Sequence, residues 1–511
     1  VNITIHRLKF IGEGDMNTLQ STSKTNRIAL TLDHVYVIAA LTLLALRPLL
    51  TSVLPHDFWW HIATGRLIAS TGTIPAVDSF SYTQAGQPFF NQGWLAQLLM
   101  YGLHQLGGVE LLLIVQSLII ALAYGLLLWL AIRRSGRLRL SVVLLLLTTL
   151  PLSFDNWTIR PQSYVFPLFA AYLFILSAYR FGWFNRLWLL PLLMVLWANM
   201  HGSFVLGLAL IGITWFGEAL KRIRPVASAT SNPTPRLLPV VLWGTISALA
   251  VLINPRGFEL YGYVRNLLGS NQVTTLVTEW APPTIRDTGG MIFFLFVLGL
   301  ALVLIYAQKR PDVTDLLVVG AFLWLALGAV RSIVWFGFVA TPLLIVQAAT
   351  LLSPPRGPAF RGSPLINGAI VGLFGLMVLI ALPWIKPAVL PPPQGDLLDP
   401  ENPVVAVEAL KSLPNPPQRL FHAMGYGSYL IYHWPDRQVF IDPRIELYPY
   451  EQWTDYLTLS RGDNLAALSA QYQFDGMLLN VKEQGDLIEV LRNDPSWRIA
   501  YEDPRTVLFG R

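Results

Sequence analysis

The chain has 511 residues, 54% of them apolar and only 13% Asp, Glu, Lys or Arg, against about 25% charged in an average soluble protein. That balance, with a mean hydropathy of +0.51, excludes disorder and an ordinary cytosolic enzyme and implies a polytopic membrane protein. Cysteine is absent, which excludes disulfides, thiolate metal sites, iron–sulfur clusters and cysteine nucleophiles, and the net charge of +6 averages 10 basic and 17 acidic residues from Pro387 onward with 26 basic and 13 acidic before it, no pattern of a nucleic-acid binder.

Residues 1–33 are polar and mixed, without an apolar core and small-residue cleavage site, and read as a cytoplasmic tail before an anchoring span. Apolar stretches follow at 34–54, 109–132, 140–154, 162–179, 187–200, 203–219, 237–253, 290–307, 315–330, 332–350 and 366–385. Several fall short of the ~20 residues a perpendicular span needs. Flanking tryptophans such as Trp157, Trp183 and Trp188 supply interfacial ends. With the N-terminus inside, these eleven crossings put fourteen Lys and Arg in inner loops, Arg133, Arg134, Arg137 and Arg139 among them. Only six fall in outer loops: Arg66, Arg160, Arg256, Arg265, Arg286 and Arg331. The positive-inside rule favours this orientation. Segment 93–107 then lies along the outer face, and the inner loops read as plain basic tracts. The expected divisions are the tail 1–33, a transmembrane part 34–386 with outer loops 55–108 and 254–289, and an extracytoplasmic α/β domain 387–511.

Beyond a stiff proline-rich spacer at 387–393, the tail alternates short apolar runs with amphipathic stretches. Strands are expected at 419–423, 438–442, 476–481, 497–503 and 506–510, and helices at 404–413, 426–434, 450–471 and 485–493. The alternation predicts a mostly parallel sheet closed by a hairpin. No glycine-rich phosphate loop follows a strand, so no nucleotide site is expected there.

Polar residues that should avoid lipid gather on the outer side. The first outer loop opens His56-Asp57-Phe58-Trp59-Trp60-His61. Taken alone, Asp57 reads equally well as a cap at an interfacial helix start. Arg160 enters a span, Asn199-Met200-His201-Gly202 interrupts an apolar stretch, Asn254-Pro255-Arg256-Gly257 opens a loop carrying Glu279 and Trp280, and Arg331 separates two spans. A lone Arg or His at a span end usually snorkels. Together, a carboxylate, two histidines and several arginines on one face suit an anionic ligand, because the guanidinium fork donates two bonds to phosphate and stays charged. A neighbouring carboxylate can take a proton from a hydroxyl while arginines stabilise the departing phosphate. That chemistry is group transfer from a phosphate-linked lipid.

The string Asp57-Phe58-Trp59-Trp60-His61-Ile62-Ala63-Thr64-Gly65, followed by Pro75, Asp78 and Trp94-Leu95-Ala96-Gln97, resembles bacterial multi-spanning proteins of the GT-C glycosyltransferase class. The likeness continues at Trp197-Ala198-Asn199-Met200-His201, Asn254-Pro255-Arg256-Gly257, Glu279-Trp280, Gly425-Tyr426-Gly427-Ser428-Tyr429 and Asp442-Pro443-Arg444. It implies a GT-C-like membrane fold in the plasma membrane of a bacterium, and transfer of a sugar from a polyprenyl-phosphate donor to an extracytoplasmic glycan, lipid or protein. By position Asp57 is the implied catalytic acid. His61, Arg160, His201 and Arg331 would line the donor headgroup, with Glu279 and Trp280 closing the site. Many members carry paired acids where this chain has Asp57 and Phe58, which argues against an ion held by adjacent carboxylates; a divalent cation is the one cofactor left open. Relatives often place an acid before the tryptophan, where Gly93 stands here.

Two other readings are carried forward. In one the chain is a non-enzymatic subunit anchoring an outer domain in a membrane complex with fixed partners. In the other it is a lipid or polysaccharide carrier, against which stands the scarcity of midspan charge: Arg47 is the clear case. For the tail motifs, turn chemistry and acceptor binding at a strand end both stand.

Overall fold

A computed structural model describes residues 30–153, 156–223, 235–268, 278–353 and 360–511. The segment 1–29, Asp155, Arg224 and Arg356 lie outside the described residues. Within them, seven helices are long and apolar enough to cross a bilayer, and four further apolar helices are shorter. These eleven coincide with the apolar stretches: α1 (Leu32–Leu50), the second half of α3 (Trp94–Ser135), α4 (Leu138–Ser153), α5 (Pro161–Tyr164) running into α6 (Phe166–Arg180), α7 (Leu189–Met200), α8 (Phe204–Ile223), α9 (Leu237–Ala250), α11 (Thr288–Tyr306), α12 (Val313–Gly328), α13 (Ile333–Leu351) and α14 (Pro364–Ala381). Between them, α2 (Phe58–Thr71) and α10 (Glu259–Leu268) belong to the loops on one face. The chain is a polytopic α-helical membrane protein with a C-terminal α/β domain.

Local chemistry sets these boundaries. Thr31 and His34 form a reciprocal cap at the start of α1. Arg47 lies in the last turn of α1, where a cation complements the helix dipole; it is not at midspan. At 42 residues α3 is about twice the length a bilayer needs. It is broken at Gly107 and Gly108, the latter at φ +65°, so 94–106 is a separate arm. Helices α7 and α9 have 12 and 14 residues, about 18 and 21 Å at 1.5 Å per residue. That is short of a ~30 Å hydrocarbon layer; Asn199 lies in the last turn of α7, His201 just past its end, and Asn254 just past α9.

The face opposite the tail is not a set of plain basic tracts. Arg180 is buried and bonds Glu218 at 2.9 Å, Asp312 at 2.7 Å and Asp315 at 2.8 Å. Arg134 also pairs with Asp315, and Lys221 with Glu218 and Asp312. This network ties α3, α6, α8 and α12 together, so three of the expected loop cations are structural.

Residues 386–511 stand on the other face. The expected spacer begins as a helical turn, α15 (Lys386–Val389), and buried Lys386 donates to the Leu49 carbonyl at 2.8 Å. The remaining elements are α16 (Val404–Lys411), β1 (Leu420–His422), α17 (Met424–His433), α18 (Tyr450–Ser460), α19 (Leu465–Tyr472), β2 (Gly476–Asn480), α20 (Gly485–Asn493), β3 (Arg498–Glu502) and β4 (Thr506–Gly510). The sheet order is β1-β2-β4-β3, with one parallel and two antiparallel pairings, so the sheet is not mostly parallel. The reason is segment 438–442. It pairs instead with the first loop, through Tyr82 N to Val439 O at 3.1 Å and Val439 N to Phe80 O at 2.9 Å. The expected helix 450–471 is interrupted where Gly462 and Asn464 turn left-handed.

Alternation along the strands divides the tail core. Leu420, Leu478 and Leu508 face a cluster shared with Phe58, Trp59, Ile62 and Met100 of the first loop, whereas Phe421, Met477, Leu479, Val507 and Phe509 face α18 and α20. The tail and α2 thus share one apolar core, which fixes the tail over the loop that carries Asp57.

Candidate active site

Asp57 occupies the N-cap position of α2, yet its side chain makes no cap hydrogen bond. The amide of Trp60 donates instead to the Ser428 hydroxyl of α17, at 2.9 Å. Asp57 is left one-third exposed. It accepts a long bond from the Trp60 indole (3.4 Å) and lies 3.6 Å from Arg160. The glycines of the 425–429 motif permit this approach. A Cβ on Gly425 would sit 3.2 Å from the His56 ring, and one on Gly427 would collide with the Ile441 carbonyl.

Arg160 stands in extended backbone just before Pro161, which opens α5. Its guanidinium lies between two acids: both Nη atoms reach Glu279, at 3.1 Å each, and Nη1 also faces Asp57. Burial works against its charge, but Glu279 and Asp57 outweigh burial and hold the proton more firmly than usual. Its Nε is buried without a hydrogen-bond partner among the described residues. An unused buried donor of this kind is costly unless a ligand meets it.

Glu279 and Trp280 lie in a 3-10 turn. The next residue, Ala281, accepts the Val330 N–H at 3.0 Å, which joins that turn to Arg331. Arg331 lies over the Trp280 ring at 4.7 Å and donates to Gln162, two residues past Arg160, at 3.1 Å. Asp57, Arg160, Glu279, Trp280 and Arg331 therefore form one chain of contacts.

The two histidines flank it as neutral rings. Burial, then Arg331, Arg160 and His61, push His201 down to about 3. Its Nδ1 accepts the Ser203 N–H at 3.1 Å, which assigns the ring proton to Nε2. Burial, then Arg160 and Arg444, push His61 well below its ordinary value. Its Nδ1 lies 3.1 Å from the Gln97 amide nitrogen, and its ring packs on Trp60. His61 is thus held in packing beside the Asp57–Arg331 contact chain.

Three features escaped sequence reasoning. Ser428 does the capping, Tyr263 of α10 donates to Glu446 of the tail at 3.4 Å, and Asp78 forms a clamp with the tail. Arg444 pairs with Asp78 at 2.7 Å and with Asp442 at 2.6 Å, all three buried. Their charges are taken up by one another, so Asp442 and Arg444 hold tail and first loop together. Gly93 is tightly placed as well: an added Cβ would lie 3.2 Å from the Met200 carbonyl, leaving little room for an acid there.

The donor set does not fit a resident divalent cation. Among the described residues no three His, Asp or Glu side chains gather around a common point, and Asp57 and Glu279 are joined by a guanidinium.

No protein-family model matches the chain, and no curated protein matches it in sequence. Among solved structures it is similar to the oligosaccharyltransferase of Archaeoglobus fulgidus in the apo form. That match has 11% identity and a TM-score of 0.55, over 91% of this chain and 72% of that one. The same enzyme tethered to an acceptor peptide containing the NVT sequon matches at 12% and 0.50, over 93% and 74%. ArnT from Cupriavidus metallidurans bound to undecaprenyl phosphate matches at 13% and 0.48, over 93% and 97%. At these identities the likeness to the oligosaccharyltransferase is one of fold, and that fold is GT-C-like.

Proposed function

We propose that the chain is a glycosyltransferase of the GT-C class, in the group carrying the Asp57-to-Gly65 motif, which moves a sugar from a polyprenyl-phosphate donor to an acceptor outside the cytoplasm. The sequence resemblance supports a bacterial plasma membrane setting, and loop charge supports the N-terminus inside and residues 387–511 outside. The observation that carries the reading is the pairing of an uncapped, part-exposed Asp57 with two arginines, Arg160 and Arg331, in one contact chain.

In the proposed reaction the acceptor hydroxyl oxygen attacks the anomeric carbon. The bond from that carbon to the phosphate oxygen breaks, and its electron pair leaves on the phosphate. The hydroxyl proton passes to the Asp57 carboxylate. Arg160 and Arg331 meet the extra negative charge on the departing phosphate, Arg160 through its free Nε. A single displacement inverts the anomeric configuration. Between α7 and α9 an open apolar groove, lined by Leu192, Val195, Trp243, Leu249 and Ile253 among others, ends at the Ile253 carbonyl that Asn199 binds. It is a suitable seat for an isoprenoid tail.

Purified wild type and D57N, with mass spectrometry of co-purifying lipids and an assay of transfer from polyprenyl-phosphate sugars, test the proposal. Transfer by wild type and its loss in D57N support it. Fixed protein partners without bound polyprenyl lipid or transfer support the assembly-subunit reading.

A further inference from the structure

One carboxylate at the site has no part in the reaction just described. Glu446 projects from the turn Ile445–Leu447, and its side chain is exposed. It makes no ion pair within 4 Å among the described residues, since the guanidinium nearest in sequence, Arg444, is occupied by Asp78 and Asp442. The bond it receives from Tyr263 is long. Tyr263 is itself fixed, stacked on Phe90 with ring centroids 4.5 Å apart and bonded by Gln92 at 3.3 Å. Glu446 thus stands on the tail side of the site, against Tyr263, with unused acceptor capacity. The charged groups facing it are Asp57 from the first loop, Arg331 from the turn before α13, and Arg444 and Asp442 from its own segment, with Tyr263 from α10.

The charges around the site therefore fall into two unlike sides. Arg160 and Arg331 line one. Glu446 marks the other, where the remaining arginine, Arg444, is neutralised, and Asp57, 3.6 Å from Arg160, stands between the two. An anionic acceptor is repelled from that second side, whereas a carboxylate binds the two O–H donors of a vicinal diol well.

Building on the transfer reading, we propose that Glu446 binds the acceptor, taking hydrogen bonds from a sugar diol whose neighbouring hydroxyl is thereby presented to Asp57. Although the Glu446 side chain reaches solvent, the protein packed around its carboxyl raises it above its ordinary range, Asp57 and Asp442 adding to the rise while its own backbone and Arg444 oppose it. Acceptor binding should therefore weaken as pH falls through that raised value, because the protonated acid accepts fewer bonds.

The test uses the full chain in detergent. Undecaprenyl phosphate probes the donor side by thermal shift, and methyl glycosides serve as acceptors with undecaprenyl-phosphate-linked hexoses and pentoses as donors. The expected result is a KM for methyl glycoside at least tenfold higher in E446Q, with kcat and undecaprenyl phosphate binding close to wild type. Y263F should move KM the same way by less, and the rise of KM at acid pH should flatten in E446Q. An unchanged KM in E446Q, or loss of undecaprenyl phosphate binding in that variant, overturns the assignment to the acceptor. So does a wild type that binds the lipid yet transfers to no glycoside diol. A wild type that does not bind undecaprenyl phosphate overturns the transfer reading itself, and this inference with it.

Discussion

Ser428 receives the Trp60 N–H at 2.9 Å across 368 positions of chain, taking over a capping duty that helix geometry would assign to Asp57. The catalytic candidate is free because a hydroxyl from the tail stands in for it. Replacing Ser428 by Ala should cost about 1 kcal/mol, the usual worth of an N-cap. It should cost more in turnover, since the Asp57 carboxylate can then rotate toward the vacant amide. Thermal midpoints and transfer rates of S428A check both. Equal losses in the two readings would mean that the cap matters only for stability.

Arg160 joins Asp57 to Glu279, and its planar fork is what lets it do so. R160A should lower transfer by a factor on the order of 10²–10³. R160K should recover little of it, because an ammonium cannot span both acids and offer a third donor. Chelation with EDTA should leave wild-type transfer unchanged, given that the two carboxylates converge on a guanidinium. Steady-state rates with and without chelator decide the point.

On the far side of the bundle, Arg180 holds three acids from two helix ends. Removing one partner from a buried ionic network leaves its counter-charges unpaired, at a cost of about 3–5 kcal/mol. R180A should therefore fail to accumulate or should melt well below wild type. Asp57 chemistry in any folded fraction should be unaffected, which specific activity per folded molecule will show.

His201 is neutral in the folded chain down to about pH 3, against an ordinary 6.5. The unfolded chain takes up a proton that the folded one refuses, so its contribution to stability is present above pH 6.5 and is lost as pH falls from there toward 3. Melting curves of wild type and H201Q between pH 7.5 and 5 should converge toward the acid end. Parallel curves would contradict a buried neutral His201.

Much of the bundle is legible in the sequence because lipid imposes a one-dimensional rule: a run of apolar residues becomes a helix wherever it lies. The acid at 57 is legible for a related reason, being costly near lipid, and the loop tryptophans because they favour the interface. The missing parts depend on distant pairing. Nothing local marks Ser428 as the cap of a helix near the other end of the chain, or Glu446 as facing Asp57. The alternating pattern at 438–442 correctly signals extended chain, but its partner is residue 81 and not the sheet. Arg134, Arg180 and Lys221 read as orientation signals because most of their acids are distant in sequence: Asp315 for Arg134, Asp312 for Lys221, and Glu218, Asp312 and Asp315 for Arg180, though Glu218 is local to Lys221.

The account rests on Asp57 as a base rather than a helix cap or a structural acid. Transfer from undecaprenyl-phosphate-linked sugars by D57N, measured beside undecaprenyl phosphate binding by the same preparation, tests that most directly. Retained binding with transfer abolished, and an inverted anomeric configuration in the wild-type product, is the predicted result. Transfer by D57N at the wild-type rate, or a product of retained configuration, would contradict it.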